Sequence, residues 1–232
     1  MIGIYDYTVL LTYISILSAS TGIVVSLSGT GHPYIGMFFL LLCGLCDAFD
    51  GKVARTKKNR TELERNFGIQ IDSLSDLVAF GVLPACIGTA LLWNSRFLNE
   101  VVFGADHKIL AMSVKYLLFA ILILYVLAAM IRLAYYNVTE EERQKTEGGS
   151  RRYFVGVPVT SASVVFPLVL LLEYITARDI SLVYFGITLL LGLAFVSKVR
   201  VPKPGLRGII IMIIIGAVEF AALLIFRFVI KA

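Results

Sequence analysis

Apolar runs long enough to cross a bilayer recur seven times in this chain, near residues 8–30, 34–54, 69–93, 112–135, 155–175, 180–197 and 207–229. A helix needs about 20 apolar residues to span a hydrocarbon core of about 30 Å, and backbone polar groups there must be paired within the segment. The pattern therefore predicts an all-α, polytopic integral membrane helix bundle. With 58% hydrophobic and 16% charged residues among 232, no ordinary soluble domain fits. A β-barrel would need short alternating segments, which are absent. No fixed-period repeat or low-complexity segment divides the chain, so residues 1–232 read as one transmembrane domain, with 207–229 as an additional C-terminal helix. The first apolar run lacks a basic flank and a small-residue cleavage site, and is read as a retained helix.

Lys and Arg cluster after the second, fourth and sixth runs, which hold 15 of the 21. All three connections fall on one side, which the positive-inside bias makes cytoplasmic; the amino terminus is then inside and the carboxyl terminus outside. The net charge of +5 suits anionic headgroups and cytoplasmic ligands, and there is no nucleic-acid-binding pattern. The most polar stretch, 137–152, reads as a cytoplasmic loop with a Gly-Gly break. Cys43, Cys46 and Cys86 sit in apolar runs and read as small packing residues, since the flanks of the C-x-x-C pair lack zinc ligands.

Against this background the stretch "CDAFDGKVAR" stands out. Asp47, Asp50, Gly51 and Ala54 share one helical face near the polar end of the second run, and Gly68, Asp72 and Asp76 follow at steps of four in the third. Four carboxylates on consecutive antiparallel helices, without basic partners inside the spans, call for a divalent cation. All-oxygen ligation favours Mg²⁺ or Mn²⁺ over zinc. His32 and His107, the two histidines, read as surface residues. The small residues Gly51, Ala54 and Gly68 leave room for a bulky ligand or for close helix packing. Arg132 and Asn137, at a cytoplasmic helix end of similar depth, are candidate contacts for an alcohol or a phosphate. A divalent-cation transporter is the alternative from another class; it would carry polar residues on to the outer side, whereas these runs become apolar.

The motif D-x-x-D-G-x-x-A-R followed by G-x-x-x-D-x-x-x-D resembles the signature of the CDP-alcohol phosphotransferases at all eight positions: Asp47, Asp50, Gly51, Ala54, Arg55, Gly68, Asp72 and Asp76. The resemblance implies a six-helix core with a site open to the cytoplasm. It implies two Mg²⁺ or Mn²⁺ ions on Asp47, Asp50, Asp72 and Asp76, Asp76 as general base, and CDP or phosphate binding at Gly51, Ala54, Arg55 and Gly68. The segments "DSLSDLVAFGVLPA", "MIRLAYYN" and "YFVGVPVTSA" are similar to the phosphatidylserine synthase branch, which implies CDP-diacylglycerol and L-serine as substrates, membrane lipids as surroundings and a homodimer in the cell membrane. Other branches, making phosphatidylglycerophosphate or inositol lipids, differ in the acceptor alone. Two departures accompany the match. Ser15 and Ser18 stand before Gly22 where the family often has Thr and Asn. The spacer from Arg55 to Gly68 holds 12 residues against about eight or nine in the common pattern; the extra residues, about one turn, are expected to lengthen the cytoplasmic helix end and leave the aspartates in phase.

Overall fold

A computed structural model describes residues 2–28, 33–95, 97–102, 108–146, 153–176, 179–202, 214–218, 221 and 225. These residues form an all-α membrane bundle of α1 (Leu10–Leu27), α2 (Pro33–Ala54), α3 (Glu62–Asp76), α4 (Leu83–Asn94), α5 (Lys108–Thr146), α6 (Ala162–Thr176) and α7 (Ser181–Val196). Leu10–Leu27, Glu62–Asn94 and Ile109–Arg143 are long and apolar enough to cross a membrane, and Val159–Leu172 and Ser181–Val196 are shorter apolar helices. The expected final span, 207–229, lies mostly outside the described residues; 214–218 are helical, and Gly216 comes close to Leu41 on α2.

Two expectations about boundaries are corrected. Residues 137–146 are not loop, because α5 continues to Thr146. The run of Glu, Arg, Gln and Lys there has high helix propensity, and Arg143 pairs with Glu140 at 2.6 Å one turn back. At 39 residues α5 is about 58 Å long, well beyond a bilayer core, so part of it stands in water. The fifth span does not start at 155. Tyr153–Val155 forms β1, which pairs antiparallel with β2 (Arg200–Pro202), and the helix begins only after Pro158. Gly156 makes that turn at φ +78°. A Cβ there would lie 2.6 Å from the Phe195 carbonyl oxygen, so both conformation and space require glycine.

The third span is one continuous helix with a defect built into it. Between α3 and α4, Leu77–Val82 forms a wider π-type turn. Pro84 has no N–H to give to Phe80, four residues before it, and the buried Tyr125 hydroxyl donates to the Phe80 carbonyl at 2.6 Å. The equally buried Tyr184 hydroxyl donates to the Pro84 carbonyl at 2.7 Å. α5 thus takes up a carbonyl that proline has freed inside the membrane, as hydrocarbon demands, and α7 adds a second donor one turn on. The same two tyrosines anchor the core. Tyr125 meets Phe166 edge-on at 5.8 Å, and Phe166 lies 4.8 Å from Tyr184. Ile123, Leu124 and Leu127 of α5 and Leu190 and Leu193 of α7 remain exposed, the expected outward face of a lipid-embedded bundle.

α1 packs closely along α2 through small residues. Ser18 Oγ donates to the Phe39 carbonyl at 3.2 Å, the buried Cys43 thiol donates to the Ser15 carbonyl at 3.3 Å, and a Cβ on Gly22 would come within 2.9 Å of Phe39. Ser15, Ser18 and Gly22 therefore bring two helix backbones together, and Cys43 has the packing role its setting suggested.

Candidate functional site: a carboxylate cluster between two helices

Local rules bring the motif halves face to face. α2 ends at Ala54, and α3 starts with a reciprocal cap: Glu64 N–H donates to Thr61 Oγ1 at 3.2 Å, and Thr61 N–H donates to Glu64 Oε2 at 2.9 Å. The long spacer supplies this cap. Lys57 then holds Asp6 before α1 and Glu64 on α3, each at 2.8 Å, tying three segments together. Asp6 also accepts from the backbone N–H and the hydroxyl of Thr8. The Lys57 ammonium and Thr8 pull the Asp6 carboxyl down to about 2, and Asp6 and Glu64 raise Lys57. The end of the spacer forms the first turns of α3, and Gly68, Asp72 and Asp76 follow on the same uninterrupted helix with a common face.

On the facing sides of α2 and α3, one carboxylate oxygen from each of Asp47, Asp50 and Asp72 lies within 4.8 Å of the others. The Asp50 and Asp72 carboxyls are within hydrogen-bonding reach, and Asp50 also accepts from the Gly51 N–H. Asp76 stands outside that trio, one turn further along α3, within electrostatic range of Asp47, Asp72 and Asp50. The π-type turn begins at the next residue. Neighbouring Ser75 is buried, with its hydroxyl on the Thr12 carbonyl at 3.4 Å, which seats this part of α3 on α1.

Lys57 and Arg143 are engaged with Asp6, Glu64 and Glu140, not with this cluster. Two carboxylates 4.8 Å apart repel by about 3 to 4 kcal/mol at an effective dielectric near 20. Three ionised together therefore need a cation between them. An all-oxygen set of half-buried, hard donors at this spacing fits a divalent metal ion.

The remaining candidates are spread more widely: Asn137 comes beside Asp72, whereas Arg132 packs against Tyr136 and the Gly156 turn. Ala54 is the last residue of α2, and Arg55 follows it, exposed, with a guanidinium nitrogen 3.4 Å from where a Gly51 Cβ would lie. Asn137 reaches the site region from α5, its side-chain amide donating to Ser73 Oγ at 2.8 Å beside Asp72. Arg132, one to two turns earlier, is buried against the Tyr136 ring at 5.4 Å, and its Nε would be 3.3 Å from a Cβ at Gly156. His32, His107, Arg151 and Arg152 lie outside the described residues. Sequence reading missed Arg60 and Lys57, which differ in no obvious way from the other cations of a basic loop; the capping pattern Thr61-x-x-Glu64 was the available signal that this loop is ordered.

A family model described as CDP-alcohol phosphatidyltransferase matches residues 8–197. Among curated proteins, the chain is 35% identical over 156 residues to a CDP-diacylglycerol–serine O-phosphatidyltransferase of Saccharomyces cerevisiae, covering 63% of this chain and 48% of the relative. It is 28% identical over 178 residues to the protein of the same name from Helicobacter pylori, covering 75% and 63%. An archaetidylserine synthase of Methanothermobacter thermautotrophicus is 28% identical over 191 residues, covering 82% and 68%. The chain thus spans about half the length of the yeast relative and somewhat under two thirds of the Helicobacter one. Two motif halves carried on facing helices, with their carboxylates gathered and the match running from α1 through α7, place the chain in the CDP-alcohol phosphatidyltransferase family.

Proposed function

We propose that this protein is a membrane enzyme that transfers the phosphatidyl group of CDP-diacylglycerol to the hydroxyl of L-serine, giving phosphatidylserine and CMP. The carrying observation is the Asp47, Asp50 and Asp72 cluster on the two helices of the family motif. The choice of serine rests on the relatives, whose names share a serine-type product although their lipid cores differ.

In this reading Asp47, Asp50 and Asp72 hold Mg²⁺ or Mn²⁺, two ions in all, with Asp76 as a further ligand. Bound metal supplies positive charge against the diphosphate and the leaving CMP. Asp76, further along α3, accepts the proton of the serine hydroxyl. The serine oxygen forms its bond to the phosphorus bearing the diacylglycerol as that phosphorus loses its bond to CMP, which leaves with the electron pair. Gly51, Ala54 and Gly68 leave space for the nucleotide, and Arg55 meets its phosphates. Asn137 and Arg132 of α5 bind the acceptor, an arginine being suited to the serine carboxylate. Residues 1–232 act as one domain, as a homodimer in the cell membrane, with the site toward the cytoplasm, where the basic connections gather.

The test is CMP release by purified protein in detergent with CDP-diacylglycerol and Mn²⁺ or Mg²⁺, supplied separately with L-serine, glycerol 3-phosphate or inositol. Serine-dependent release that chelation abolishes is the expected result. Release with another alcohol alone would overturn the acceptor, and release with none would overturn the reading.

A further inference from the structure

The spacer between the motif halves carries Arg60, which none of the eight motif positions includes. Its guanidinium lies on the backbone of Gly68: a Cβ there would be 2.7 Å from Nη2. The same nitrogen donates to the Glu64 carbonyl at 3.2 Å, which fixes one arm of the fork on the first turn of α3. Arg60 Nε is buried and has no hydrogen-bond partner among the described residues. A guanidinium serving only as a helix clamp would spend its donors on backbone or carboxylate; this one keeps a buried donor unspent.

Its position gives that donor a use. Gly68 precedes Asp72 by one turn, about 6 Å along the axis. On the facing helix Arg55 lies over Gly51 in the same way, beside Asp50. The two motif glycines thus each lie against a guanidinium from the spacer, Gly51 one residue after Asp50 and Gly68 one turn before Asp72. A ligand with two linked phosphates, held at the trio through metal, would present anionic oxygens to this pair, and a planar fork with free N–H groups matches them.

We infer that Arg60 is a substrate-binding residue, the second guanidinium for the diphosphate of the CDP-linked lipid, brought into place by the lengthened spacer. This rests on the function proposed above and adds a residue to it. Arg60 acts in binding, and the proton transfer stays with Asp76, so its loss falls on KM.

The experiment uses the full chain in phosphatidylcholine nanodiscs, where no anionic headgroup competes. Arg60→Ala is expected to raise the KM for CDP-diacylglycerol by about tenfold or more while kcat and the serine KM change by less than about twofold. Arg60→Lys restores part of the loss. Inhibition by CDP weakens by the same factor, whereas inhibition by cytidine does not. Arg60→Gln repeats the test should the alanine variant fold poorly. An unchanged KM for CDP-diacylglycerol overturns the inference. So does a fall in kcat that tracks a lowered melting temperature, which would make Arg60 a clamp on α3, and so does an effect confined to vesicles containing anionic lipid, which would assign it to headgroups. Failure of the proposed function shows instead in the unaltered protein, as no serine-dependent CMP release. In that case Mn²⁺-dependent binding of CDP decides the matter: weaker binding by Arg60→Ala upholds the diphosphate site, and equal binding overturns it.

Discussion

Asp76 differs from the other motif carboxylates in standing apart from the trio, and that separation makes its role testable. Asp76→Asn keeps the shape and removes the base; CMP release is expected to fall by about 10²–10⁴-fold. Mn²⁺-induced thermal stabilisation, read by melting in detergent, should be reduced in Asp76→Asn, which loses one further ligand, and disappear in Asp72→Asn, because Asp72 belongs to the cluster itself. Retained stabilisation in Asp72→Asn would remove the trio as a metal site. Asp6 offers a contrast outside the membrane. Its folded value of about 2 lies below the ordinary carboxylate value of 3.8, so its contribution is fully present above that ordinary value and is lost as pH falls through about 2. The tie from Asp6 through Lys57 to α3 should therefore hold at neutral pH and release between about pH 4 and 2. Pepsin cleavage near the amino terminus should rise over that window, and Asp6→Asn should show the released pattern already at pH 4.

The helix running from Glu62 to Asn94 joins a capped polar end, a carboxylate-bearing turn, a π-type turn and a proline-started apolar half. Two tyrosines from other helices donate to its backbone carbonyls. Tyr125→Phe leaves the Phe80 carbonyl with an empty acceptor position in a buried site, and is expected to destabilise the protein by about 1–3 kcal/mol. Melting of the purified variant measures this, and a change below about 0.5 kcal/mol would show that the defect does not need its cap. Gly88 lies further along the same helix, where a Cβ would meet Leu122 at 2.7 Å and Tyr184 at 3.1 Å. Gly88→Ala should cost about 1–3 kcal/mol by overpacking, without altering the metal dependence of activity.

At the scale of the whole molecule, the proposed orientation puts the carboxylate trio and the Lys57 tie on the cytoplasmic side. A cysteine placed at exposed Asn59 in a cysteine-free background should react with an impermeant maleimide in inside-out vesicles and stay protected in intact cells. Much of this was legible in the chain. Apolar length dictated helices, since no other open structure survives in hydrocarbon, and steps of three and four put Asp47 with Asp50 and Asp72 with Asp76. The eight spaced motif residues were enough to suggest the family. What local pattern could not show is where one helix sits against another. The approach of α2 to α3 that gathers Asp47, Asp50 and Asp72 and leaves Asp76 deeper, the laying of Arg60 on Gly68, and the capping of Phe80 by Tyr125 join residues far apart in the chain or lodged in a loop of many cations. Helical period fixes which side chains share a face; only packing fixes what that face meets, because the contacts that choose it form between segments and not within them.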